Sequence, residues 1–123
     1  MQNVVEFAVA TTPREEATLE PVQFVDPSTV TDGIPAERGA VQFTSADDKI
    51  LIGTWAAEPF AGRVDNAPAT EYASLLRGVV RLTSDDGEVR EFRAGDSFVT
   101  PAGWSGEYRV VESVLKQFVI VQS

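Results

Sequence analysis

Glu71 is the side chain in this sequence best placed to do chemistry. Residues 70–77 read as an extended strand, which puts Glu71, Ala73 and Leu75 on one face and Tyr72, Ser74 and Leu76 on the other. Turned into an apolar interior, such a carboxylate must be paired, metal-bound or protonated. It then serves as a ligand anchor or a general base with raised pKa, or else as half of an ion pair, with Arg63 the candidate partner. Arg63 can equally bind an anionic substrate through its planar fork. Asp65, two residues on, is either a second anchor or the turn former ahead of Asn66-Ala67-Pro68. Trp55, Trp104 and Tyr108 either ring a pocket or fill core and interface.

Composition narrows what these residues can do. The 123 residues include no histidine and no cysteine. There is therefore no imidazole base or metal ligand, no Ser-His-Asp triad, no disulfide and no thiolate. Proton transfer near neutral pH falls to a carboxylate with raised pKa, a Lys, a Tyr or water. A formal charge of −9 opposes nucleic-acid binding. Apolar runs such as 118–121 are far shorter than a membrane span, and no basic segment with a signal-type core opens the chain, so a cytoplasmic protein is expected.

The elements that must position Glu71 are short strands. Pro13, Pro21, Pro27 and Pro35 punctuate residues 1–38, an irregular arm with one or two short strands and a helical turn at Pro35–Arg38. Val4–Val9 alternates poorly. Strands follow at 40–43, 49–55, 62–65, 70–77, 79–83, 88–93, 97–100, 104–111 and 113–121, with Gly78 allowing a bend or bulge. Ser84-Asp85-Asp86-Gly87 marks a tight hairpin that pairs 79–83 with 88–93. One all-β domain results, a sandwich or barrel, and periodicity does not choose among immunoglobulin-like, jelly-roll and OB arrangements.

Turn chemistry adds a resemblance. Gly95 is followed after five residues by Pro101-Ala102-Gly103, and Glu71 after six by Gly78. Both spacings resemble the two conserved motifs of the cupin superfamily, and residues 50–121 look like the small single-domain cupins related to the (S)-ureidoglycine aminohydrolase cupin domain. The resemblance implies a small jelly-roll β-barrel of two antiparallel sheets over residues 39–123, with residues 1–38 as an arm packed on the barrel or on a partner subunit. In metal-binding cupins the motifs supply three histidines and a glutamate. The corresponding places here are Asp65, Ala67, Glu71 and Gly106, so oxygen ligands stand at two of four.

A divalent ion held weakly by Glu71 and Asp65 would keep most of its waters or recruit Tyr108, Gln117 or a ligand. No cofactor is firmly implied. The leading expectation is a non-catalytic or diverged cupin that binds a small metabolite in a barrel ringed by Trp55, Tyr108 and Leu75, with Arg63 and Asp65 near and Trp104 at the mouth. A homodimer is expected because strands such as 117–121 have two apolar faces. The alternative is a metal-assisted hydrolase or isomerase on a small polar, nitrogen-containing or sugar-derived substrate.

Overall fold

A computed structural model describes residues 4–5 and 19–122, so most of the Val4–Val9 segment lies outside the described residues. The described chain is built of strands: β1 Glu20–Pro21, β2 Val30–Gly33, β3 Arg38–Thr44, β4 Ile50–Ala57, β5 Phe60–Val64, β6 Thr70–Ser84, β7 Val89–Arg93, β8 Ser97–Thr100 and β9 Gly106–Val121. Among the described residues no helix is long and apolar enough to cross a membrane.

Two of these strands are longer than their sequence suggests. The sequence divides them at Gly78 and at Glu112, yet β6 and β9 each run straight through, paired antiparallel from Thr70↔Val121 to Ser84↔Gly106. The ladder survives because its register shifts fall between Leu75 and Val80, where Gly78 takes a φ of +93°. A side chain there would collide with the Ser113 carbonyl, so only glycine lets the bulge form without ending the strand.

The bulge divides the long pair into two lobes. Along the outer edge of β9, β4 pairs with residues 114–121 and β5 with 106–110. Along the other edge of β6, β8 pairs with residues 71–74 and β7 with 79–83. One lobe therefore reads β1-β3-β4-β9-β6-β8 and the other β2-β5-β9-β6-β7, all within one nine-stranded sheet. This corrects the expected closed barrel of two sheets. The sheet curls into an open half-barrel, because β6 and β9 belong to both lobes and no described strand pairs across the gap.

The hairpin at 84–87 forms as expected, with Gly87 at a φ of +93° and the Ser84 N–H donating to Glu88 O. The helical turn expected at Pro35–Arg38 does not form. Arg38 already belongs to β3, and a single 3-10 turn lies instead at Pro27–Thr29, where the Asp26 carboxylate accepts from Ser28 N.

Inward residues of both lobes make one core, including Trp55, Phe60, Leu75, Val80, Leu82, Val110, Val114 and Phe118. The segment before β2 is fastened to it by Glu37, whose buried Oε1 accepts from Phe24 N and Val25 N at 3.0 Å and from Trp55 Nε1 at 2.9 Å. One carboxylate oxygen thus satisfies donors that would otherwise be stranded on burial. The Phe24 ring then packs edge-on against Phe118, centroids 6.2 Å apart.

Candidate functional site

Three cross-strand rows on the concave face define the centre of the half-barrel. Leu75, Lys116 and Trp55 form one, Ala73, Phe118 and Gly53 the next, and Glu71, Ile120 and Leu51 the third. Glu71 and Lys116 are therefore two rows apart on one face, and the lysine stem must cross the middle row to reach the carboxylate. Ala73 presents only a methyl group there. The Phe118 ring is displaced over Gly53, where a Cβ would strike it. With that room, Lys116 Nζ donates to Glu71 Oε2 at 2.5 Å.

Aromatic faces complete the surroundings of the ammonium. Nζ lies 4.8 Å from the Trp55 ring centre and 5.4 Å from that of Tyr108, within cation–π range. Trp55 is held in turn by its bond to Glu37 and by edge contacts at 6.3 Å with Phe60 and Tyr108.

Lys116 is only 6% exposed, while the Glu71 side chain keeps 29% of its surface open. Burial pulls the Lys116 pKa down, but the Glu71 carboxylate and the Tyr108 hydroxyl outweigh it, and the net shift is upward. The group is an ammonium at neutral pH, unsuited to act as base or nucleophile. Burial chiefly pushes the Tyr108 phenol up as well, with Lys116 opposing and Glu71 adding. The Tyr108 hydroxyl is fully buried and makes no hydrogen bond of good geometry, although the ammonium is near enough to bias its ionisation.

Of the residues singled out from sequence, Glu71, Trp55 and Tyr108 converge here. Arg63 does not: its guanidinium grips Asp85 through two bonds of 2.6 Å and Asp65 at 2.8 Å, so the Glu71 partner is Lys116 instead. Asp65 lies with its side chain 73% exposed, against Arg63. Gln117 sits between Thr54 and Ser74 on the convex face, opposite to Lys116. Trp104 precedes β9 and lines a separate cleft at the mouth.

A divalent ion, which the cupin resemblance implies, fits this chain poorly. Among the described residues no group of three or more His, Cys, Asp or Glu side chains could hold a metal. An ion bound to Glu71 would also face the Lys116 ammonium across the same carboxylate.

Breaking the pair from the cationic side's partner is expected to be the more damaging change. Glu71→Gln strands a buried ammonium and should lower stability by about 2–3 kcal/mol, discounted for the open face of Glu71. Urea denaturation should find Glu71→Gln/Lys116→Met less destabilised than the sum of the single variants. Strict additivity would mean that the two groups do not interact.

The sign of the pH dependence follows from the upward shifts. Folded Lys116 and Tyr108 hold their protons above the ordinary values of 10.5 and 10.0, so the unfolded chain releases protons first as pH rises. Their contribution is fully present below about pH 10 and is lost above it. The urea midpoint should hold from about pH 8 to 10 and then fall, less steeply in Lys116→Met; a midpoint that climbs there contradicts the assignment.

The family of EutQ-like cupin domains matches residues 44–118. No curated protein matches the sequence. Among solved structures, a protein of unknown function from Pseudomonas syringae pv. tomato str. DC3000 superposes with TM-score 0.78 at 22% identity over 84% of this chain. The chain spans only 44% of that protein's length. A protein described as ethanolamine utilization protein Q, from Salmonella typhimurium LT2, superposes with TM-score 0.64 at 20% identity, covering 85% of this chain and 98% of that one. A Rhizobium leguminosarum protein of unknown function gives TM-score 0.68 at 17% identity, covering 99% of this chain and 100% of its own. At such identities the likeness shows the fold alone, and nothing in it singles out the (S)-ureidoglycine aminohydrolase cupin. With more than half of its length matched, this chain belongs to the family of EutQ-like cupin domains.

Proposed function

We propose that this chain binds a small polar metabolite on the concave face of its half-barrel, as a cytoplasmic homodimer and without a full metal-ligand set. The observation that carries this reading is the buried Tyr108 hydroxyl, which has the Lys116 ammonium near it but no hydrogen bond of good geometry, beside an ion pair that uses one oxygen of Glu71. Glu71 keeps part of its surface open and offers Oε1 as an acceptor to a small molecule, with the buried phenol behind it as a further donor or acceptor and Trp55 and Phe118 as apolar backing. Glu71 is the anchor in this reading. Residues 1–38 serve as an arm packed on the barrel or on a partner subunit, a role supported, among the described residues, by Glu37, which accepts from Phe24 N and Val25 N and from Trp55 Nε1. The metal-assisted alternative has no such support, since Lys116 already neutralises Glu71.

The homodimer is supported by the convex face of one lobe. Phe43, Ile52, Val119, Tyr72 and Val99 form one cross-strand row over β3, β4, β9, β6 and β8. Tyr72 is 46% and Val99 56% exposed. The convex face of the other lobe carries Asp32, Ala61, Arg109, Arg81 and Glu91 in the equivalent arrangement. An apolar row beside a charged one marks where a second copy would sit.

Thermal denaturation with ureas, amides and amino acids at millimolar concentration tests the binding reading. At least one class should raise the melting temperature of the wild type and leave Glu71→Gln unmoved. A flat response across the panel, or stoichiometric metal in protein purified without chelators, removes it. Light scattering tests the dimer: the wild type should run as two chains and Tyr72→Lys as one, and a monomeric wild type ends that part of the reading.

A further inference from the structure

The mouth of the half-barrel carries a cleft that the Glu71–Lys116 pair does not line. It encloses ≈ 190 Å³, and its wall includes Leu82, Ser84, Arg90, Phe92, Phe98 and Trp104. The sheet builds it. β7 and β8 lie end to end along one edge of β6, and Phe92 and Phe98 are the partners of Val80 and Ala73 on the concave face. Because β6 bulges between those registers, the two rings meet face to face, with centroids 4.2 Å and planes 12° apart. Arg90, two residues before Phe92 on the same face, sets its guanidinium carbon 5.6 Å from the Phe92 ring centre. The loop after Pro101-Ala102-Gly103 delivers Trp104, whose Nε1 donates to Ser84 Oγ at 2.9 Å and so fixes the indole.

We propose that this cleft binds a small planar ring bearing a carboxylate, with the ring against Phe92, Phe98 and Trp104 and the carboxylate on Arg90. Aromatic walls favour flat ligands. The volume is below the roughly 300–1,000 Å³ of drug-sized pockets, which suits a single ring and not a nucleotide. Arg90 is also more easily recruited than Arg63, Arg81, Arg93 or Arg109. Its ion pair with Glu88 is long, 3.5 Å, and open to water, whereas Arg63, Arg81, Arg93 and Arg109 hold carboxylates at 2.6–3.2 Å. An exposed pair of that length contributes little, so a ligand carboxylate in the guanidinium fork displaces Glu88 readily.

Benzoate is the probe, followed by calorimetry and tryptophan fluorescence. The chain has two tryptophans, Trp55 buried beside Lys116 and Trp104 lining the cleft. The fluorescence change on binding should persist in Trp55→Phe and vanish in Trp104→Phe. Arg90→Gln alters an exposed side chain, so its fold is retained; it should weaken benzoate about tenfold or more and leave benzamide unchanged. Acetate, which has no ring, should not bind. Glu71→Gln should leave benzoate affinity intact, which separates failure of this cleft from failure of the interior reading. Benzoate that does not bind, that binds no tighter than benzamide, or that is lost in Glu71→Gln while surviving in Arg90→Gln overturns the proposal.

Discussion

The pairing of β6 with β9 is the constraint on which the rest of the structure depends. Strands of 15 and 16 residues that stay paired end to end are too long to remain flat, since twist accumulates along a ladder. The strain is released at one place, where Gly78 accepts a conformation closed to other residues. β4, β5, β7 and β8 each then take a half-length of edge on one side of that bend, and β3, β1 and β2 extend outward from β4, β3 and β5. Because the concave face is continuous through it, residues remote in sequence share a row, as Trp55 does with Lys116, and side chains of different rows, Phe92 and Phe98, stack across the bend itself. The half-barrel stays open for the same reason, because β7, β8, β1 and β2 are short segments at the free edges and none reaches another across the gap.

Within that frame the Glu71–Lys116 pair is a balance of large terms. Removing an ammonium and a carboxylate from water costs several kcal/mol per ion, and a contact of 2.5 Å repays it only with further support. Two features supply it. The carboxylate keeps part of its surface open, so its hydration is not wholly lost, and the faces of Trp55 and Tyr108 stabilise the cation from the buried side. The protein thereby carries its own fixed cation in the concave face. A charged lysine at that spot polarises whatever hydrogen-bonds to Glu71 or Tyr108, and it does so without a metal's exchangeable coordination sites.

The fold was legible because its punctuation is local. Asp86-Gly87 forces the β6–β7 hairpin, Gly78 marks the bulge, and alternation from Glu71 to Leu75 gives the correct inward face. Partners were not legible, because they depend on register between distant segments. Lys116 lies 45 residues from Glu71 and within a run, Val114 to Val121, whose other members apart from Gln117 are apolar. A lone charge on the inward positions of that run was the available signal, but nothing in the sequence gives the β6–β9 offset that brings it to Glu71 and not to Arg63. Arg63 was misassigned for the complementary reason: the hairpin tip swings Asp85 under it, a contact spanning 22 residues. The closed barrel failed likewise, since strand count does not reveal that two pairs of short strands share two long ones.

Charge is the remaining check on an anionic ligand for an acidic protein. A formal charge of −9 repels anions at long range, but at physiological salt the field of the surface decays over about 8 Å. Affinity is therefore decided by the groups within contact distance, and at the mouth these are Arg90 and Glu88. The pair is nearly neutral as it stands, joined by an ionic contact of 3.5 Å. A carboxylate carried by a ring already held on aromatic faces loses less freedom on binding than the flexible Glu88 side chain loses in pairing, and it can meet the guanidinium in two bonds. Discrimination between the two carboxylates thus falls to geometry and apolar contact, which is why the aromatic wall and the loosely held arginine belong to one site.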